Sequence, residues 1–363
     1  MTVHPQPQTG PRREPVFGAD VDATPPLTSP TTASPPGVDG HGTRSPDVLF
    51  RSIVSSVRSV LFADEATVRL AVGCFVAGGH LLVEDFPGLG KTTLAKALAY
   101  AFGLEFRRVQ FTADLLPADI TGAMVFDADR REPTFRPGPV FTNVLMADEL
   151  NRASPRAQSA LLEAMEERQV TVDGRSFALP KPFMVVATQN PYDAAGTSPL
   201  PHGQRDRFLL RLALGYPTRD DEDALVAGED PAERVSALAP ALSLAELQSL
   251  MDAVAKAYVS PSARVYLLDL IRETRTHRSV SVGASPRAAM SVVRMARAVA
   301  VANGRNYVNP EDIQAVAGPA LAHRLLLHPG AEFAEGGPEA VVAELLHLVP
   351  VPLADGVTAH PAT

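Results

Sequence analysis

The sequence predicts an α/β layered domain on a parallel sheet, followed by a second, all-helical domain. Three observations carry this. Short apolar runs alternate with helical stretches between residues 80 and 214, the pattern of βαβ units. One run leads into the glycine-rich loop Pro87-Gly88-Leu89-Gly90-Lys91-Thr92, which opens a helix. After Pro217 the strand-like runs disappear and helical periodicity takes over.

The chain has 363 residues, enough for about two domains at roughly 100–200 residues each. Its apolar content of 45% supplies a sizeable core. A net charge of −8 and a pI near 5.6 argue against non-specific nucleic-acid binding, which wants a basic surface. Cys74 is the only cysteine, so there is no intrachain disulfide and no cysteine zinc cluster. Set among Val72, Phe75 and Val76, it reads as a small buried hydrophobe. No signal peptide is apparent at the N-terminus. The most apolar stretch, 70–83, is interrupted by glycines and is shorter than the ~20 residues of a membrane span. A cytoplasmic protein without a membrane span is expected.

Residues 1–46 carry ten prolines amid Thr, Ser, Gly and Asp and are expected to be disordered, because such a segment buries too little apolar surface to offset its chain entropy. Helices are expected at 47–60 and 66–76, a strand at 80–84, and a helix at 92–102 that stops at Gly103. Strands follow at 106–111 and 140–147. The second is almost wholly apolar, as suits burial on both faces of a parallel sheet. Ser154-Pro155 opens a helix, with Ser as N-cap and Pro at the first helical position. Leu161, Leu162 and Met165 form its apolar face. Residues 170–177, with Asp173-Gly174 at the turn, read as a hairpin. Strands at 183–188 and 208–214 bring the core to about five. Helices are then expected at 242–258, 262–275, 286–303 and 310–327, with a short one at 338–348. The predicted organisation is a tail (1–46), an α/β core (47–225), a helical domain (226–332) and a C-terminal tail (333–363).

The loop after the first strand has the chemistry of a phosphate cradle. Glycines let backbone N–H groups curl around phosphate, the helix N-terminus favours the anion, Lys91 reaches the β/γ-phosphates, and the Thr92 hydroxyl can ligate Mg²⁺. Asp85 stands where the usual pattern begins with Gly. Asp148-Glu149 closes an apolar strand. There Asp148 would hold Mg²⁺ through water and Glu149 would polarise an attacking water. Ala187-Thr188-Gln189-Asn190-Pro191 ends another strand, where the Asn190 carboxamide could orient that water, since ligands of open α/β sheets bind at strand C-termini. Arg205 and Arg207 precede the last core strand, and Arg287 starts a helix of the second domain. Phosphoryl transfer needs such cations.

These motifs, together with Asn151-Arg152-Ala153, residues 158–165 and Gly283-Ala284-Ser285-Pro286-Arg287, resemble the MoxR family of AAA+ ATPases over roughly residues 48–328. The resemblance implies an AAA+ P-loop core with a five-stranded parallel sheet and an all-helical lid. It implies ATP and Mg²⁺ as cofactors. Asp85, Pro87, Gly88, Leu89, Gly90, Lys91, Thr92 and Thr93 would contact nucleotide, Thr92 and Asp148 the metal, and Glu149 and Asn190 the reaction. By the same resemblance, Arg207 is an arginine finger acting on the neighbouring subunit's nucleotide, favoured over Arg205 because it directly precedes the apolar run. Arg287 is a sensor in the lid and, with the loop residues, would contact nucleotide. The long connection 111–138 matches an inserted element, and 170–179 a hairpin, both facing the ring pore in relatives. A homo-oligomeric, hexameric ring and a von Willebrand factor A domain partner are expected, with chaperone-like maturation of protein complexes as the activity. A magnesium-chelatase-like subunit and a DNA-dependent motor are the alternatives. Arg130, Arg131 and Arg136 favour the motor, although Asp127, Asp129 and Glu132 dilute them. A nucleotide-gated scaffold would not need Glu149, Asn190 and Arg207.

Overall fold

The computed structural model describes residues 44–129, 131–190, 200–228, 230–331 and 336–352. The expected disordered tail therefore lies almost wholly outside the described residues. Arg44, at its end, is ion-paired to Glu246 at 2.9 Å.

The core begins with α1 (Pro46–Arg58) and α2 (Glu65–Val76), the latter N-capped by the Asp64 carboxylate. Then come β1 (Leu81–Glu84), α3 (Lys91–Ala101) and β2 (Phe106–Gln110). Gly103, at φ +68°, ends the helical segment as expected. The long connection folds into α4 (Pro117–Thr121) and a hairpin of β3 (Gly122–Asp127) and β4 (Glu132–Pro137). The chain continues through β5 (Val144–Asp148), α5 (Pro155–Glu167), the hairpin β6 (Gln169–Val172) and β7 (Arg175–Ala178), β8 (Met184–Gln189), α6 (His202–Arg205) and β9 (Leu210–Leu212). At the second hairpin Asp173 and Gly174 both take positive φ, 49° and 74°, as a two-residue type I′ turn requires. Phe135 stacks on Phe177 at 3.8 Å and joins the two hairpins.

The sheet is parallel throughout, in the order β2-β5-β8-β1-β9. Successive side chains alternate faces, and both faces are covered. Leu81, Val83, Val144, Met146, Met184 and Val186 pack on one side with α1 to α3. Leu82, Leu145, Ala147, Val185 and Ala187 pack on the other with α5. Two strands are shorter than expected. Val140 is fully buried but lies in a turn, its N–H donating to the Ile120 carbonyl. Phe208 and Leu209 are buried in the approach to β9. In both cases an apolar run reports burial, and its end lies outside the ladder.

The second part holds α7 (Arg219–Val226), α8 (Pro231–Ser236), α9 (Leu244–Lys256), α10 (Pro261–Thr276), α11 (Pro286–Ala302), α12 (Pro310–Leu321) and a terminal helix, Gly337–Leu348. It is helical but not free of strands. Tyr258–Val259 pairs with Tyr307–Val308, and Val280–Val282 with Leu326–Leu327. The helix expected at 310–327 stops at Leu321, and a 3-10 turn, Ala322–Arg324, follows. α9 and α11 share the apolar cluster of α1 to α3, so the lid packs against the back of that helical layer. Among the described residues no helix is long and apolar enough to cross a membrane.

At the base of β1, a Cβ placed on Gly79 would lie 2.5 Å from the Leu209 Cβ. Gly79→Ala should therefore destabilise by about 1–3 kcal/mol through overpacking, read as a lower urea midpoint with an unchanged slope. His80 is fully buried between Val185 N–H, which donates to its Nδ1 at 2.9 Å, and the Met165 carbonyl, 3.1 Å from its Nε2. Burial, reinforced by Arg168, pushes its pKa from 6.5 down to about 3. Between those values the unfolded chain binds a proton that the folded chain refuses. Stability must therefore fall as pH drops through this window, by about 1.4 kcal/mol per pH unit for this group. Urea titrations between about pH 7 and about pH 5 should show the loss, with a shallower slope in His80→Gln.

Candidate functional site

The glycine-rich loop leaves β1 at Glu84 and turns on two glycines, Gly88 at φ +85° and Gly90 at φ +86°. Both lie where a side chain is strained, and Gly90 is the N-cap of α3. Lys91, the first residue of that helix, donates from Nζ to the Asp85 carbonyl at 2.5 Å. Burial lowers its pKa, while Asp85, Asp148 and Glu149 oppose the shift.

A cavity of about 380 Å³ opens over this loop. Pro87, Gly88, Gly90, Lys91, Thr92 and Thr93 line it from one side, Asp148, Glu149 and Asn190 from the other. Asp85 and Leu89 are not among the lining residues. The Asp85 carboxylate, on a residue only 8% exposed, instead accepts from Phe86 N–H at 2.8 Å, Leu214 N–H at 2.7 Å and Gly215 N–H at 2.9 Å. It binds the loop to the strand exit that leads to the lid. Pro191 lies outside the described residues.

The carboxylate pair is held by neighbours on two strands. Thr188 Oγ1 donates to Asp148 Oδ1 at 2.5 Å and accepts the Glu149 N–H at 2.9 Å. Arg108 meets Asp148 Oδ2 at 2.5 Å and Gln110 Oε1 at 3.0 Å. Gln110 Nε2 in turn donates to Glu149 Oε2 at 2.9 Å, the oxygen that Arg152 also approaches at 2.9 Å. Glu149 itself sits at φ +55°, ψ 46°, a left-handed conformation that costs a non-glycine residue about 1 kcal/mol or more. Sequence reasoning missed Arg108 and Gln110. The available signal was their i, i+2 spacing on a core strand, which puts both side chains on one face.

The arginines lie elsewhere. Arg207 and Arg287 share one partner, Glu166, with Arg207 Nη2 3.0 Å from its Oε2 and Arg287 on its other oxygen. They line a second cavity of about 580 Å³ with Gly78, Gly79, His80, Asp206 and Arg294. Gly78 to His80 precede β1, whereas the phosphate loop follows it, so the two cavities sit at opposite ends of that strand. Arg287 thus belongs to the cavity of Arg207, away from Lys91 of its own chain. Arg205 lines neither cavity. Arg131 and Arg136 lie exposed on the first hairpin, while Arg130 is outside the described residues. The same hairpin exposes Phe126, 65% accessible.

Thr92 and Asp148 are oxygen donors, as a hard cation such as Mg²⁺ prefers, and both line the cavity where phosphates would lie. The residues therefore fit the metal, with Arg108 holding one Asp148 oxygen in its place.

The chain matches known proteins over most of its length. A family described as "ATPase family associated with various cellular activities (AAA)" matches residues 80–210, and an "AAA lid domain" matches 272–345. The chain is 41% identical over 305 residues to the uncharacterized protein YeaC of Bacillus subtilis, covering 84% of this chain and 95% of that one. It is 37% identical over 340 residues to Chaperone MoxR1 of Mycobacterium tuberculosis, covering 91% and 89% respectively. It is 32% identical over 333 residues to Protein MoxR of Paracoccus denitrificans, covering 84% and 97%. A crystal structure from Cytophaga hutchinsonii superposes with a TM-score of 0.77 at 34% identity, over 85% of this chain and 96% of that one. With a core and a lid matched in order, and relatives aligned over most of their lengths, the chain belongs to the MoxR family of AAA+ ATPases.

Proposed function

We propose that the chain hydrolyses ATP with Mg²⁺ at an interface between subunits of a homo-oligomeric ring, expected to be a hexamer. The observation that carries this is the separation of the two cavities at opposite ends of β1, phosphate loop and carboxylates in one and Arg207 with Arg287 in the other. A single chain cannot bring both to one nucleotide without rearrangement, whereas a head-to-tail contact presents the arginines of one copy to the loop of the next. Such heterologous contacts close into rings.

In this reading the backbone N–H groups of residues 88–92 and the Lys91 ammonium bind the β- and γ-phosphates. Thr92 and, through water, Asp148 would hold Mg²⁺, which when bound would supply charge neutralisation at the phosphate oxygens. Glu149 accepts the proton of the attacking water as its oxygen bonds to the γ-phosphorus and the bond to the β-phosphate oxygen breaks, releasing ADP and phosphate. Asn190 orients the water. Glu149 must first exchange its contacts with Gln110 and Arg152 for that water. Arg207 and Arg287 of the neighbour meet the charge that spreads over the γ-phosphoryl oxygens. Asp85 holds the loop in place and does not touch phosphate.

The name Chaperone MoxR1 on a relative supports extending the reading to remodelling or maturation of partner protein complexes, with metal or cofactor insertion as one outcome and a von Willebrand factor A domain protein as co-worker. A boundary between core and lid near residue 225 and a cytoplasmic setting, where ATP is supplied, belong to the same proposal.

Glu149→Gln should retain nucleotide binding and lose about 10²–10⁴-fold in turnover, the reach of general-base catalysis. Phosphate release beside a binding titration checks this, and near-normal turnover removes Glu149 from its role. Arg207→Ala should lose about 10³-fold or more while binding ATP normally. Mixed with Lys91→Ala subunits, it should regain activity, because its intact loop then receives a neighbour's arginine. A mixture that stays inactive contradicts action between subunits.

A further inference from the structure

Arg324 ends the 3-10 turn after α12 and is only 2% exposed, yet it carries a guanidinium. Four of its six acceptors belong to the segment that contains Arg207. Nε donates to Asp206 Oδ1 at 2.8 Å, Nη2 to the Asp206 carbonyl at 3.1 Å and the Phe208 carbonyl at 2.6 Å, and Nη1 to the Leu209 carbonyl at 3.4 Å. The remaining two are the Ala320 carbonyl and Ser291 Oγ. His323 Nε2 also meets the Phe208 carbonyl at 3.2 Å, and His202 Nε2 meets the Arg324 carbonyl at 2.7 Å. One turn of the lid therefore grips the residues immediately before and after Arg207, which fixes the direction in which that side chain leaves the backbone. Asp206 carries the contact onward, since its Oδ2 lies 3.4 Å from Ser285 Oγ and 3.9 Å from Arg287 Nε.

A buried charge is an expensive way to hold a core together. An apolar side chain of similar volume often does as well or better, whereas a guanidinium with its N–H donors satisfied holds its acceptors in a fixed fork geometry. Burial lowers the Arg324 pKa to about 10, against the pull of Asp206, so the cation persists at neutral pH.

We propose that Arg324 is a positioning residue for the intersubunit reaction, clamping residues 206–209 to the lid so that Arg207 and Arg287 are presented together to the neighbour's nucleotide. This rests on the reading of Arg207 given above. Arg324→Lys keeps a cation but loses the fork that reaches both sides of Arg207. Its kcat should fall about 100-fold, the effect of a misplacement near 1 Å, with KM and ATP affinity unchanged. Mixing with Lys91→Ala subunits should restore turnover, as for Arg207→Ala, because the phosphate loop of the Arg324→Lys subunit is intact. Wild-type kcat, weakened ATP binding in parallel with turnover, or failure to complement would each overturn the assignment. Should Arg324→Lys not fold, Asp206→Asn interrogates the same clamp with a near-isosteric change. The same split between kcat and affinity supports the assignment there, and wild-type kcat overturns it. Arg207→Ala assayed alongside separates the two claims. If it keeps its turnover, the reading of Arg207 fails. If it loses turnover while the clamp variants do not, only the role of Arg324 fails.

Discussion

The parallel register of β5 on β8 and of β8 on β1 is the constraint on which the site depends. Ala147 pairs with Ala187, and Val83 with Thr188. Asp148, Thr188 and the start of the phosphate loop therefore emerge at one level. Thr188 can then donate to one carboxylate and accept from the next residue's amide. A slip of a single residue would turn every side chain of the shifted strand to the other face, taking the Thr188 hydroxyl away from Asp148 and the apolar partners out of both layers. The same pairings that bury Val144, Met146, Val185 and Val186 thus hold the carboxylates over the loop, so core packing and chemistry are specified by one set of backbone hydrogen bonds.

Much of this was legible in the sequence because it is local. The glycines, Lys91 and Thr92 announce themselves within eight residues, and Asp148-Glu149 at the end of an apolar run does the same. What escaped depends on distance along the chain. Gln110 meets Glu149 across 39 residues, and Arg287 meets Glu166 across 121. No periodicity records such meetings. Asp85 shows a different limit. Its position in the loop invites a role at phosphate, yet the amides of Leu214 and Gly215, 129 and 130 residues away, claim its carboxylate. The two-residue ribbons of the lid were invisible because alternation needs several residues to register, and the strand ends were misjudged where Val140 and Phe208 are buried in turns.

The placement of the lid follows from the same bookkeeping of apolar surface. α9 and α11 close over α1 to α3, leaving the phosphate cavity open. Links nevertheless cross from core to lid: Arg324 holds the segment around Arg207, Arg287 meets Glu166, and Arg211, which meets Glu84 at 3.0 Å, also meets Glu339 of the terminal helix. Each starts within a few residues of a group that lines one of the two cavities, so the lid is tied to the chemistry without covering it.

The backbone at Glu149 has a consequence for how this protein can change. Glycine would relieve the left-handed conformation there, and asparagine would tolerate it better than glutamate. Selection for robustness alone would therefore push this position away from the carboxylate proposed to take the water's proton. The glutamate persists at a site of local frustration. Sequence variants that have lost it should be among the sturdier members of any library, and survival of the fold there says nothing about survival of the work it does.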